Sequence, residues 1–164
     1  RHSPGDEIDP SLNKLTLDPP QGFLAEESSA SWRVAAPEGE LKEARAPGMT
    51  QLVVRPNLIV QRKKVVVPTD VGAQVALVCA DLVRHVAGIS TIDTDEFTFA
   101  DGKVGLRIKY TMPAFKEFKL AQMQAARLDD DVLTTVTIST ELSRLNAATV
   151  ELYVKSLASV SLVA

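Results

Sequence analysis

One cysteine, two histidines and few aromatic residues are spread over 164 residues. Cys79 is alone, so no internal disulfide can form; a reducing cytosol fits, and so does a disulfide-free periplasm or lumen. A zinc centre needs more ligands than Cys79, His2 and His85 supply, and these three lie far apart. Aromatics make up only 5% and net charge is −3, which disfavours a base-stacking or phosphate-binding surface and hence nucleic acid. The chain has no glycine-rich phosphate loop and no nucleophile elbow. No apolar run approaches the ~18 residues that would span a bilayer. No catalytic residues, metal or cofactor are expected, and the chain reads as a non-enzyme.

Apolar residues at 45% and charged residues at 24% fit one soluble domain with a sizeable core. The sequence opens on Arg1 rather than Met, so a processed or partial chain is expected. Residues 1–21 hold Pro4, Pro10, Pro19 and Pro20, a density that defeats helix and ladder alike. They read as an extended N-terminal arm, with a short strand or docked turn near Leu12–Leu17. Residues 22–164 read as a single α+β domain.

Within that domain, Phe23–Glu27 and Ser31–Ala35 look like a short strand pair. Pro37–Gly48 is a polar loop. Gln51–Val60 is a strand interrupted at Pro56, and Arg62-Lys63-Lys64 leads into Val65-Val66-Val67. That basic run is expected to be an exposed strand end, with a patch for an acidic partner as the alternative. Pro68-Thr69-Asp70 starts a helix, Thr69 serving as cap and Asp70 suiting the positive end of its dipole. Val71, Val75, Val78, Leu82 and Val86 follow at helical spacing, and Gly88 stops the run. Asn146 caps a final helix with the stripe Val150, Tyr153, Val154 and Leu157.

Between the helices, Ile89–Thr140 reads as an antiparallel meander. Asp101-Gly102 and Asp129-Asp130-Asp131 mark its turns. Leu106, Ile108 and Tyr110 alternate with Arg107 and Lys109. This predicts an α+β fold whose meander sheet carries its helices on one face, with Leu106, Ile108 and Tyr110 turned toward them and the other face solvated or used for binding. The third strand is less clean, because Leu120, Gln122, Gln124 and Ala126 oppose Ala121, Met123 and Ala125. With Thr135 and Thr137 next door, Gln122 and Gln124 form an uncharged platform suited to an apolar or helical ligand. The acids at Asp93, Asp95 and Glu96 and at 129–131 sit in or near turns and match no EF-hand loop. His85 is expected to act at a helix C-terminus, and Cys79 to pack as a small core residue.

Four stretches carry a resemblance: Arg55-Pro56-Asn57-Leu58-Ile59-Val60-Gln61-Arg62; Glu96-Phe97-Thr98-Phe99-Ala100-Asp101-Gly102; Gln122 with Gln124; and Leu133-Thr134-Thr135-Val136-Thr137. Together these resemble the bacterial DcrB-related family, similar in fold to PsbP-like proteins. The resemblance implies binding rather than catalysis. It points to an adaptor chaperone of the type VI secretion kind, whose partner is a secreted effector with apolar helices, and to homodimerisation. Gln122, Gln124, Thr135 and Thr137 would then be partner-binding. A cytoplasmic site of action would follow, with a periplasmic or organellar lumen as the alternative. The rival expectation is a structural or accessory subunit of an envelope or organellar complex, anchored by the arm.

Overall fold

The structure, a computed structural model, describes residues 14–20, 24–27, 31–35, 56–114 and 118–163. Among them are nine strands, two α-helices and one 3-10 turn. Strands β1 (Lys14–Thr16), β2 (Leu24–Glu27), β3 (Ser31–Ala35) and β4 (Asn57–Lys64) precede helix α1 (Val71–His85). Strands β5 (Asp93–Thr98), β6 (Val104–Pro113), β7 (Lys119–Asp129) and β8 (Val132–Glu141) form the meander. A 3-10 turn (Leu142–Arg144), helix α2 (Ala147–Ala158) and strand β9 (Ser161–Val163) follow.

Seven strands form one antiparallel sheet in the order β2-β3-β4-β8-β7-β6-β5. β1 and β9 pair separately, Lys14 opposite Val163. The expected meander is present, with its turns where the sequence puts them. Gly102 takes φ 91 in the first, and Asp130 takes φ 55 in the last, a value Asp tolerates better than most residues. Residues 51–55, expected to begin the strand at β4, lie outside the described residues, as do the loop at 37–48 and positions 1–13 of the arm.

Both helices start as their sequences direct. Asp70, rather than Thr69, caps α1: its carboxylate accepts from the Ala73 N–H at 2.7 Å. The Thr69 hydroxyl instead accepts from the Gln74 amide. α1 ends at His85, and Gly88, with φ 76, serves the turn beyond it. The His85 ring contacts the Asp81 carbonyl at 3.0 Å, a bond within the last helical turn. Asn146 caps α2, accepting from the Thr149 N–H at 2.9 Å.

The fold is α+β with two helices on the sheet, but the helices take opposite faces. β4 lies in mid-sheet and β5 at its far edge, so the chain between them must cross one face, and α1 does so. It packs Val75 against Ile108, Tyr110, Ala126 and Leu133. α2 covers the other face, where Tyr153 and Leu157 meet Leu58, Met123, Val136 and Ile138. The reason is energetic: Ile108, Tyr110, Ala126 and Leu133 on one side and Met123, Val136 and Ile138 on the other are apolar, so each side needs a cover to remove them from water. Part of the predicted arm belongs to this assembly. Leu17 is buried in the α2-side core, and the Asp18 carbonyl accepts from the Ser156 hydroxyl at 2.6 Å.

Candidate functional site

The two faces of β7 and β8 differ in how well they are covered. Ala121, Met123, Ala125 and Arg127 on β7, and Thr134, Val136, Ile138 and Thr140 on β8, point toward α2, and all are buried. On the α1 side, Gln122, Gln124, Thr135 and Thr137 are only half-buried. α1 lies over β6 and β7 and leaves Ile59 half-buried and Gln61 exposed on β4, alongside Thr137 and Thr135.

The four predicted binding residues therefore share one face and one patch. Gln124 stands directly opposite Thr137, and its amide donates to the Thr137 hydroxyl at 2.8 Å. Gln122 stands opposite Ser139 and donates to its hydroxyl at 2.8 Å. The Tyr110 hydroxyl donates in turn to the Gln122 carbonyl oxygen. Burial, with a smaller effect of Cys79, pushes the Tyr110 phenol up to about 12, so it remains a donor at neutral pH. The outcome is a cross-strand polar ladder, Tyr110–Gln122–Ser139 beside Gln124–Thr137, with no formal charge.

The sequence reading missed Tyr110 and Ser139 as members of this ladder. It placed Tyr110 among residues facing the helices and the glutamines on a face left open. Register shows them on the same side: Tyr110 pairs with Gln122, and Ile108 with Gln124. Tyr110 does face a helix, α1, and the glutamines emerge beside that helix. An alternation count within each strand cannot reveal this, because it fixes each strand's sides but not which sides match across strands.

Of the acids singled out in the sequence, Asp95, Asp101 and Asp129 are engaged in holding the fold, the last two by an arginine the sequence did not point to. Arg127, 3% exposed, is contacted on every side. Its Nε and Nη2 donate to Asp129 at 2.8 and 3.0 Å, and its Nη1 donates to Asp101 at 3.1 Å and to the Val160 carbonyl at 2.9 Å. Nη2 also reaches Asp101 at 2.9 Å, and the guanidinium lies 5.0 Å from the Phe99 ring centroid. Burial works against its charge, but the bonds to Asp129 and Asp101 outweigh it and raise its pKa. The Asp101 carboxyl is held below its ordinary range, chiefly by the hydrogen bond from Arg127.

Asp95 is claimed by Arg107, whose Nε donates to it at 3.0 Å. Lys63 and Lys64 are exposed, as expected of a strand end, whereas Arg62 is half-buried beside Thr134. Cys79 is half-buried on the α1 side, and burial pushes its thiol up, away from thiolate reactivity. Among the described residues, no three acidic, histidine or cysteine side chains gather as metal ligands would.

One apolar feature stands outside both cores. Leu77 and Val83 on the outer side of α1 are 61% and 64% exposed, with the exposed Ala73, Ala76 and Ala80 on the same side. No described helix is long and apolar enough to cross a membrane.

No family model matches the chain, and no curated protein does. A solved structure is similar across most of both chains: PA94 from Pseudomonas aeruginosa, a protein of unknown function. The match has a TM-score of 0.56 at 10% sequence identity and covers 92% of this chain and 87% of that one. At that identity the likeness is one of fold.

Proposed function

We propose that this chain is a non-enzymatic protein-binding domain, an adaptor or chaperone that holds apolar helical segments of a secreted effector. The observation that carries the reading is the uncharged, half-buried patch of Gln122, Gln124, Thr135 and Thr137 beside α1, in which Gln122, Gln124 and Thr137 belong to the polar ladder. A segment rich in apolar side chains would be repelled by a charged face, because stripping water from charges costs more than the contact returns. Amides and hydroxyls carry a smaller desolvation cost. They also supply donors and acceptors for Ser, Thr or backbone groups on the segment. Ile59 adds apolar contact at the edge of the patch. The resemblance to DcrB-related proteins supports the same reading. It further leads us to propose homodimerisation, which would place two such patches on one clamp, and action in the cytoplasm before export.

The competing reading is a structural subunit of an envelope or organellar complex, anchored through its arm. Residues 14–18 of that arm are bound within the chain itself, through β1–β9 pairing and Leu17, so that part is not free to dock elsewhere.

The test is co-expression with a Leu/Ala-rich helix of about 20 residues fused to a soluble carrier. The protein should keep the fusion in solution and co-elute with it. Gln124→Arg with Thr137→Arg should abolish co-elution while the far-UV spectrum stays unchanged. If both proteins behave alike, the adaptor reading fails.

A further inference from the structure

The α2 face of the sheet is closed at one end and hollow at the other. Near the Asp101 turn, Phe97 and Phe99 stack edge to face at 5.1 Å and fill the space beside α2. At the opposite end, the same face of β5, β6 and β7 carries Asp93, Lys109, Thr111 and Ala121, none of which is an aromatic filler. A cavity of about 350 Å³ results. That size lies at the lower end of the range for small-molecule sites.

Two cross-strand rows make its floor: Thr111–Ala121–Thr140 and Lys109–Met123–Ile138. Leu142, Leu145, Val150 and Tyr153 make the wall. Ser90 and Thr91 close the outer side, where the Thr111 N–H donates to the Ser90 hydroxyl at 2.8 Å and pins that segment to β6.

The polar groups in this cavity are few, and among the described residues several lack partners. Thr140 is 3% exposed, yet its hydroxyl takes no hydrogen bond among the described residues. The Thr111 hydroxyl likewise takes none. Lys109 is half-buried, and no described carboxylate lies within ion-pair distance of it; nearby Asp95 is already held by Arg107. Asp93, the cross-strand neighbour of Lys109, stands exposed at the rim, where water weakens its field. An apolar hollow with one half-buried cation and two donor hydroxyls suits an anion on an apolar body.

From this arrangement we infer that the cavity is a binding site for a small apolar monocarboxylate. The hydrocarbon lies on Met123, Ile138 and Leu145, and the carboxylate accepts hydrogen bonds from Lys109 and a threonine hydroxyl. The cavity opens on the α2 face, opposite the proposed partner ladder, although Tyr110 and Gln122 of that ladder also border it; the variants below touch neither, so the two readings are tested separately.

Octanoate and octanol are the probes, with methyl NMR of Met123 and Ile138 as the readout. Octanoate should shift both methyls saturably. Lys109→Met should weaken octanoate by about tenfold, the loss of one charge-assisted bond, and leave octanol unchanged. Asp93→Asn should tighten octanoate about twofold by removing a like charge. Ala121→Leu should block both probes, and Leu145→Phe serves the same purpose if that variant does not fold. Unshifted methyls at millimolar octanoate, or an equal loss of both probes in Lys109→Met, would overturn the inference.

Discussion

The two faces of one sheet show different states of completion. Toward α2, eight consecutive inward positions on β7 and β8 are buried, and even Arg127 is fully bonded there. Toward α1, neighbouring residues of the same strands stop half-way and end in amides and hydroxyls. The strands are the same, so the difference lies in the covering. α2 settles over β7 and β8, whereas α1 crosses over β6 and β7 on its way to β5. A face that the fold finishes is there for stability. A face left partly open, ending in the amides and hydroxyls of β7 and β8, is the one we propose for a partner.

Substitutions on the closed face should break that comparison most severely. Leu157→Ala, at 0% exposed, should cost about 2–5 kcal/mol in urea unfolding. Thr137→Ala, on the other face, should cost under about 1 kcal/mol, since its hydroxyl is half-wet. Equal losses would show that the two faces do not differ.

Arg127→Met comes next. It leaves Asp101 and Asp129 without their guanidinium, and because both carboxylates keep some contact with water, a loss of up to about 3 kcal/mol is expected. Its pH signature is specific. The Asp101 carboxyl is held low in the folded state, so its contribution is complete above its unfolded pKa and disappears as pH falls through the folded one. The parent protein should therefore lose stability more steeply than Arg127→Met does as pH falls below about 5. Parallel curves would remove Asp101 from the account.

A smaller effect is expected from Gln122→Leu. It should change stability by about 1 kcal/mol, since the amide serves both Tyr110 and Ser139, while reducing capture of the apolar helix fusion. Leu77→Ser, on the outer side of α1, should stay within about 0.5 kcal/mol in a monomer. A larger loss that grows with protein concentration would show that this side is covered by a second copy.

Much of this comparison can be read in the sequence, but its handedness cannot. The meander, its turns, the Asn146 cap and the α2 stripe follow from local chemistry, and each is found where expected. The division of the helices between faces does not, because Ala121-Gln122-Met123-Gln124-Ala125-Ala126 lacks the alternation of a strand wet on one side. The Arg127 cluster was equally hidden. Arg127 and Asp129 share a side by simple spacing, but Asp101 arrives only through the register of a hairpin 26 residues away. The ladder was half visible: Gln122 and Gln124 stand out as uncharged residues on a strand, whereas Tyr110 and Ser139 join them only through pairing.

The pairing of β1 with β9 has a kinetic meaning. Thr16 and Ser161 are separated by 145 positions, among the longest loops this chain can close. Contacts of such separation form after local ones, because loop entropy must be lost before they return anything. The hairpins of the meander can form from near neighbours, but this clasp has to wait for them. Weakening it should therefore leave the refolding rate almost unchanged and show itself as faster unfolding, with the strand pair acting as a latch on departure rather than a guide to arrival.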